Sequence, residues 1–400
     1  MEDKIKKFIN SSNFLIIGFN TRPIIKSAIN LGVENIDDID FFGDFDLLNI
    51  MKNVTIISEL VQANFDKKSI QDIFYDELKR IIKEKKEISH IIITSGFDNR
   101  ADIWKKIENL KPIIGNSSDT VKKVRNIKIL SDFCRKKRIK FPNFIDLATD
   151  DQINKLKFPL IIKPKSSGGG KNIHLIERKE DFEELFTKIL NRSDFIAQEF
   201  VKGIDISATI SCNGHHASIL TITKQILGEK FLGASSKFLY CGNIIPFKVN
   251  KKVYGEIGRI SNEITKNFEL KGINGMDFIL KDGEIYLIEV NPRFPGTIEL
   301  IEMLMHKNIF YEHVKSSIFE EISKFDLYDE QIGLKFILYA TKEIKIGNFI
   351  ELNNIYDIPK PGSKISMGSP ICSILIIGNE LNNIWDDGLK TTNDILRKCH

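Results

Sequence analysis

The sequence predicts a mixed α/β protein of three parts: a parallel α/β unit at 1–115, a central α+β domain at 116–322 and a small β-rich unit at 323–400. Three observations support this division. Strand and helix patterns alternate over about the first hundred residues, two hairpin patterns follow, and short apolar runs separated by turns fill the last part. A chain of 400 residues is also too long for one compact core.

The N-terminal unit begins with a short apolar run, "FLIIGF" at 14–19, which predicts a buried strand. Pro23 stands at the favoured first position of the helix that follows. An alternating run at 35–42, a helical pattern at 70–86 and a strand at 90–96 continue the series, which predicts a Rossmann-like sheet covered by helices. The first strand-to-helix turn, "GFNTRP", has one glycine where a dinucleotide site needs three, so we expect no dinucleotide there.

The central domain opens with a basic pattern, "SDTVKKVRNIKILSDFCRKKRI", which predicts one helix. Two hairpins follow, because Asn213-Gly214 and Asp282-Gly283 each separate two alternating runs and are favoured pairs for hairpin turns. The last part contains the runs "GLKFILYA" and "SPICSILIIG", which predict strands. The sequence therefore predicts a mixed central domain and a β-rich end.

The composition excludes several functional classes. The net charge of +4 arises from 58 basic and 54 acidic residues spread along the chain, so we expect no nucleic-acid partner. The five cysteines are far apart and form no C-x-x-C pair, which indicates neither a zinc site nor a disulfide framework. No apolar run approaches the ~20 residues that span a bilayer, and the charged start lacks the apolar core of a signal peptide. We expect a cytoplasmic protein with no membrane partner.

The second hairpin carries polar residues that can bind a metal. Glu289 and Asn291 are two apart and share one face of a strand, while Asp277 lies on the partner strand. A two-residue turn at Asp282-Gly283 places Asp277 and Glu289 on opposite faces. We predict instead a three-residue turn, 281–283, with its glycine in the left-handed conformation, which makes them diagonal neighbours on one face.

Two carboxylates and an amide oxygen on one face suit a hard cation such as Mg²⁺, which is usually held by one or two carboxylates and substrate phosphates. The alternative is an ordinary hairpin with polar residues on its wet face. The apolar neighbours in "IYLIEVNPRF" favour the metal, because they predict a mostly buried strand and buried charges need partners.

A glycine-rich loop follows the apolar run that ends at Lys163. Its serines and glycines offer hydroxyl and amide donors to phosphate oxygens: Ser166, Ser167, Gly168, Gly169 and Gly170. The loop fits neither the P-loop pattern nor the dinucleotide fingerprint. Taken alone, it is equally well interpreted as a flexible surface loop with a solvated lysine.

Together, three segments resemble the ATP-grasp enzymes in order and spacing: "PLIIKPKSSGGGKNI", "AQEFVKGIDISAT" and "GMDFILKDGEIYLIEVNPR". The resemblance is greatest to biotin carboxylase-like carboligases and to carbamoyl phosphate synthetase. It extends over most of the chain, because the Rossmann-like unit, the two-lobed ATP domain and the C-terminal β-rich unit all have counterparts. The glycine-rich loop then corresponds to the flap that closes over the phosphates.

The resemblance implies roles for individual residues. The ATP-binding set comprises the flap residues, two lysines, the linker between the lobes and an acidic ribose ligand: Lys128, Lys163, Ser166, Ser167, Gly168, Gly169, Gly170, Glu199, Val201 and Asp205. The metal ligands are Asp277, Glu289 and Asn291, and Lys163 and Arg293 act on the transferred phosphate. Lys128 belongs to a helix with many basic residues, so a solvated helical face is its alternative interpretation.

The function implied is an ATP-dependent carboxylate–amine ligase that forms ADP and phosphate through an acyl phosphate. It uses ATP, two Mg²⁺ ions (with Mn²⁺ as an alternative), a small carboxylic acid and an amine acceptor, and a homodimer is compatible with it. A first alternative is a bicarbonate-using carboxylase or carbamoyl-phosphate-type enzyme. Biotin carboxylation itself is disfavoured, because "ILTITKQILGEKFLG" lacks the arginines that such enzymes carry there. A second alternative is a non-catalytic ATP sensor.

Overall fold

The computed structural model describes residues 1–63, 68–148, 153–165, 168–189, 191–325, 331–349 and 352–400. Within these ranges, no helix combines the length and apolar character needed to cross a membrane. The mixed α/β class predicted from the sequence is confirmed. Strands and helices are numbered in chain order below.

The N-terminal unit is a parallel sheet of four strands in the order β3-β2-β1-β4, covered by helices. The central strand β1 is buried along its whole length, as its apolar sequence predicts. The elements are α1 (Glu2–Ser11), β1 (Phe14–Gly18), α2 (Arg22–Asn30), β2 (Ile36–Asp40), α3 (Phe45–Ile50), β3 (Val54–Ile56), α4 (Ile57–Ala63), α5 (Ile70–Glu84), β4 (His90–Ile93) and α6 (Ala101–Glu108).

The central part contains a small antiparallel sheet, β5-β8-β6-β7, and begins a larger one. The glycine-rich loop connects β6 to β7 of the small sheet. The elements are α7 (Ser118–Val124), α8 (Ile127–Lys136), β5 (Phe144–Asp146), β6 (Leu160–Pro164), β7 (His174–Ile176), α9 (Lys179–Lys188), β8 (Phe195–Glu199), β9 (Ile204–Asn213), β10 (Ala217–Leu227), β11 (Tyr240–Ile245), α10 (Lys251–Phe268), β12 (Lys271–Lys281), β13 (Glu284–Asn291), α11 (Ile298–Met305) and α12 (Ile309–Ile318).

The C-terminal strands extend the large sheet. Its order is β13-β12-β9-β10-β11-β14-β18-β16, and all of its pairings are antiparallel. The sequence did not predict the long helix that follows β18. The elements are β14 (Ile332–Tyr339), β15 (Ile344–Lys345), β16 (Ile355–Tyr356), β17 (Lys364–Ile365), β18 (Pro370–Gly378) and α13 (Leu381–Arg397).

The prediction of one continuous basic helix is wrong. The helix is interrupted between α7 and α8, where the Asn126 side chain accepts hydrogen bonds from Lys128 N and Ile129 N and so starts a second helix. Asparagine is a preferred N-cap and a poor residue inside a helix, which explains the break. The interruption leaves Arg125 at the end of α7, where its side chain reaches the large sheet.

Candidate active site

The β12–β13 hairpin brings its carboxylates together by a route that the sequence did not predict. The predicted three-residue turn is wrong: Lys281 pairs with Glu284 across a two-residue turn, in which Asp282 and Gly283 have φ of 51° and 76°. A β-bulge then inserts one extra residue into β13, so that Asp277 pairs directly with Glu289. The two carboxylates therefore lie on one face, as the metal hypothesis requires.

Asn291 holds the two carboxylates in place. Its Nδ2 donates to Asp277 Oδ2 at 2.9 Å and to Glu289 Oε1 at 3.2 Å. Gln225 of β10 donates from Nε2 to the other oxygen of Asp277, at 2.9 Å. All four side chains are half-buried, so the group is still open on one side.

Burial and the proximity of Glu289 raise the pKa of Asp277 well above its usual value. Burial also acts to raise the pKa of Glu289, but Arg125 and Lys163 outweigh it and lower that pKa. A divalent cation would remove the repulsion between the two carboxylates. The described residues contain no group of three or more His, Cys, Asp or Glu that could hold a metal, so a cation here would depend on two carboxylates, an amide oxygen and phosphate.

Two cationic side chains approach the carboxylates from other elements. Lys163, at the end of β6, has its pKa lowered by burial, while Glu289 and Asp277 act to raise it. Arg125 donates from Nη1 to Asn291 Oδ1 at 3.3 Å and lies 3.4 Å from Glu289 Oε2. The sequence analysis missed Arg125; the signal that could have found it is Asn126, whose N-cap preference ends the first helix there. Lys128, predicted to bind phosphate, is exposed on α8.

Arg293 lies beyond the hairpin and is held by the N-terminal unit. Its Nε donates to Asp98 Oδ2 at 2.6 Å, and its Nη1 donates to Phe294 O at 3.0 Å. Burial acts to lower the pKa of Arg293, but Asp98 outweighs it and raises that pKa, so the side chain is a fixed cation. The N-terminal unit therefore contributes a residue to the arrangement of the site.

The glycine-rich loop contacts the loop before β11. Ser166 and Ser167 lie outside the described residues, and Gly168 and Gly169 are exposed. Gly169 O accepts a hydrogen bond from Tyr240 N at 3.0 Å. Gly170 has φ of 76°, and a Cβ there would lie 1.7 Å from Phe238 O. Only glycine fits this close approach.

The predicted adenine and ribose residues lie around the linker between the two sheets. Glu199 ends β8, and its carboxylate accepts from Asn143 Nδ2 at 2.8 Å and Lys157 N at 2.9 Å. Val201 is half-buried just after that strand. Asp205 is half-buried on β9, and burial raises its pKa. Ser207, two residues on, pairs with Asp277 across β9 and β12, so Asp205 shares the face of the metal hairpin.

Comparison with known proteins finds similarity to ATP-grasp proteins. The family model described as an ATP-grasp domain matches residues 123–297, which contain Arg125, Lys163, the glycine-rich loop and the hairpin. An uncharacterized protein of Methanocaldococcus jannaschii is 28% identical over 384 residues, covering 93% of this chain and 91% of its own length. A D-alanine–D-alanine ligase of Fusobacterium nucleatum is 33% identical over 137 residues, which are 34% of this chain and 46% of that ligase.

The fold is also found in solved structures. The biotin carboxylase domain of 2-oxoglutarate carboxylase from Hydrogenobacter thermophilus, solved with magnesium, ADP and bicarbonate, aligns with a TM-score of 0.71 at 12% identity. The alignment covers 97% of this chain and 90% of that one. The fold is thus that of these solved structures, and residues 123–297 resemble an ATP-grasp domain. The predicted resemblance to ATP-grasp proteins is confirmed.

Proposed function

We propose that the protein is an ATP-dependent carboxylate–amine ligase that forms ADP and phosphate through an acyl phosphate. One observation carries the proposal: Asp277, Glu289 and Asn291 meet on one face beside the fixed cation Arg293 and the half-buried Lys163. Phosphoryl transfer needs positioning and neutralisation of charge, which this set supplies. A non-catalytic sensor has no need of all of these groups.

Each side chain has a defined task in the proposed reaction. Asp277, Glu289 and, once its amide oxygen turns toward them, Asn291 would hold Mg²⁺, of which we propose two ions; bound Mg²⁺ would neutralise charge on the γ-phosphate. Lys163 and Arg293 bind the phosphate oxygens, and the loop at Gly168–Gly170 closes over them and excludes water. A carboxylate oxygen of the acid attacks the γ-phosphorus, and ADP leaves. The amine then attacks the carbonyl carbon of the acyl phosphate, and phosphate leaves.

Adenosine binding is assigned to the linker and to β9. We propose that backbone groups of Glu199 and Val201 bind the adenine edge and that Asp205 binds the ribose. Asp205 supports this, because it is half-buried on the same sheet face as the metal hairpin. Ser166 and Ser167 remain assigned to phosphate binding. Lys128 is the phosphate ligand with the least support, because its side chain is exposed and the neighbouring Arg125 occupies the site.

The domain limits 1–115, 116–322 and 323–400 are also proposals. The match at 123–297 falls inside the middle segment. We further propose a cytoplasmic enzyme, which the five free cysteines support. The D-alanine–D-alanine ligase among the relatives supports an amine acceptor.

The test combines ADP release with trapping of the intermediate. The protein is incubated with Mg-ATP, hydroxylamine and, one at a time, amino acids, short peptides and cofactor-like acids. We expect one acid to give hydroxamate and ADP in equal amounts, because hydroxylamine intercepts an acyl phosphate. ADP release that depends on bicarbonate alone would instead indicate a carboxylase. Nucleotide binding without acid-stimulated turnover would indicate a sensor.

A further inference from the structure

The carboxyl edge of the N-terminal sheet borders the candidate active site. The order β3-β2-β1-β4 places β1 and β4 side by side. From β1 the chain continues to β2 and β3 on one side of β1, whereas β4 lies on the other side. Ligands of open parallel sheets bind in the crevice at such a point. The loops that follow these strands are in contact, because Phe19 N donates to Ser95 O at 3.3 Å.

The loop after β4 binds polar side chains of the site, and the loop after β1 binds a carboxylate of the C-terminal part. After β4, Asp98 accepts from Arg293, and Asn99 Oδ1 accepts from Arg125 Nη2 at 3.1 Å. After β1, Asn20 Nδ2 donates to Asp357 Oδ1 at 2.9 Å. Because a carboxylate only accepts, this bond fixes the amide of Asn20 with its nitrogen toward Asp357 and its oxygen turned away.

Each loop presents an oxygen that has no partner. Asp98 Oδ1 and Asn20 Oδ1 are buried, and neither accepts a hydrogen bond from any residue that the structure describes. Leaving a buried acceptor unpaired costs about 1–3 kcal/mol and more for a charged group, so such atoms usually meet a ligand or water. Both atoms are acceptors, and one belongs to a carboxylate. The ligand that complements them carries N–H donors and a positive charge.

We propose that Asp98 Oδ1, with Asn20 Oδ1, binds the amino group of the acceptor, so that the acceptor is a primary amine that arrives as its ammonium form. This inference rests on the proposed ligase function. Arg293 binds the other oxygen of the same carboxylate. Asp98 thereby holds the amine next to the residue assigned to the transferred phosphate.

The geometry gives Asp98 a part in the second half-reaction. The ammonium gives up a proton to solvent, and the free nitrogen attacks the carbonyl carbon of the acyl phosphate. The carbon–nitrogen bond forms and the carbon–oxygen bond to phosphate breaks, so phosphate leaves with the bonding electrons. A second proton leaves the nitrogen and is taken by Asp98 Oδ1. Asp98 is then a catalytic residue of the amine step and a positioning residue for Arg293.

Asp98→Asn separates these two tasks. An asparagine can still accept from Arg293 through its oxygen, but it then presents an NH₂ group to the ammonium, where the native protein presents a carboxylate oxygen. The matched control is Asp102→Asn. Asp102 follows four residues later and pairs with Arg100 at 2.8 Å on the protein surface.

The experiment measures two products with the acid found by hydroxamate trapping. One is the hydroxamate, formed from hydroxylamine, which is neutral at pH 7.5. The other is the amide, formed from a pool of twenty L-amino acids, ethanolamine and putrescine and detected by mass spectrometry. For Asp98→Asn we expect the ratio of amide to hydroxamate to fall about 100-fold, with a higher KM for the amine. Asn20→Ala should lower that ratio about tenfold, and Asp102→Asn should leave it unchanged.

Two outcomes would overturn the inference. Equal losses of hydroxamate and amide in Asp98→Asn would mean that Asp98 acts only through Arg293. Unchanged amine kinetics in both Asp98→Asn and Asn20→Ala would mean that these oxygens do not meet the acceptor. Either result would be compatible with the ligase function. If the unmodified protein forms no hydroxamate with any acid, the ligase function itself is contradicted.

Discussion

At the scale of single residues, the two carboxylates of the site differ in their surroundings. Glu289 is bound by Asn291, lies 3.4 Å from Arg125, and has its pKa lowered by Arg125 and Lys163. Each carboxylate oxygen of Asp277 accepts a hydrogen bond from one side-chain amide, of Gln225 or Asn291. Burial and the neighbouring Glu289 raise the pKa of Asp277. Arg125 and Lys163 thus favour the ionised form of Glu289 more than that of Asp277.

Glu289→Gln should lower Mg²⁺-dependent turnover by about 100-fold or more, because it removes a carboxylate from the proposed metal site, while nucleotide binding weakens less. Turnover is measured as acid-stimulated ADP release. The matched control is Glu284→Gln on the same strand. Glu284 is exposed and pairs with Lys140, so its loss should change turnover less than about twofold. Full activity in the Glu289 variant would show that the hairpin is not part of the active site.

The residues of the hairpin were identifiable from the sequence, but their register was not. Apolar residues at Ile285, Leu287 and Val290 are buried, with spacings of two and then three. That break in alternation is the trace of the bulge. Two adjacent apolar residues, such as Leu287 and Ile288, are also common in regular buried strands. The pattern alone therefore does not distinguish a bulged strand from a regular one. Arg125 and Asp98 reach the site through tertiary contacts, which no local pattern encodes.

At the scale of elements, the glycine-rich loop has one position where its backbone is constrained. Gly170 combines a φ of 76° with a close approach to Phe238 O, whereas a Cβ at Gly168 would meet nothing within 4 Å. The same loop is tied to β11 through Gly169 and Tyr240. The position of the loop therefore depends on β11 and on the segment before it.

Gly170→Ala should displace the loop and lower kcat/KM for ATP by at least about tenfold, because a left-handed conformation and a steric clash both oppose the new side chain. Gly168→Ala, two residues away, should change it by less than about twofold. Both values come from ADP release at saturating acid. Similar effects of the two substitutions would show that the close approach at Phe238 is unimportant.

A second element-scale prediction concerns α12, which carries a buried histidine. His313 Nδ1 accepts from Ile273 N at 3.0 Å, and its Nε2 lies 3.0 Å from Ile114 O, so the neutral ring joins β12 to the end of the N-terminal unit. Burial lowers the pKa of His313 from its usual 6.5 to about 4. As the pH falls from about 6.5 to 4, the unfolded chain takes up a proton that the folded protein does not.

Stability should therefore fall by roughly 3 kcal/mol over this range because of His313 alone. The measurement is urea unfolding at pH 7 and pH 4.5 for the unmodified protein and His313→Leu. The difference in free energy between the two pH values should be smaller in the variant. His306→Asn, at the exposed end of α11, is the control and should keep the full difference. An equal pH dependence in all three proteins would contradict the assignment.

At the scale of the whole molecule, one buried cation joins the three parts of the chain. Arg22 of the N-terminal unit donates to both oxygens of Glu299, at 2.9 and 2.6 Å, and from Nε to Asp357 Oδ1 at 2.9 Å. Its side chain is 3% exposed. The parallel pattern of the N-terminal unit and the strand pattern of the end were predictable, but the sharing of one eight-stranded sheet was not, because non-local pairing leaves no sequence signal.

Arg22→Met should destabilise the protein by about 3–5 kcal/mol, because it leaves buried carboxylates without their cation. Lys26→Met is the matched control. Lys26 also bonds Glu299, at 3.0 Å, but is 41% exposed, so its loss should cost no more than about 1 kcal/mol. Urea unfolding of both variants at pH 7 gives the two free energies. Equal values would mean that Arg22 does not hold the parts together.

The central claim, an acyl phosphate made from a carboxylic acid, is tested most directly by isotope transfer. The acid found by hydroxamate trapping is labelled with ¹⁸O in its carboxylate and incubated with Mg-ATP and the amine. If a carboxylate oxygen attacks the γ-phosphorus, one ¹⁸O atom per turnover should appear in the released phosphate, detected by mass spectrometry. Released phosphate without ¹⁸O, or label in AMP instead, would contradict the account.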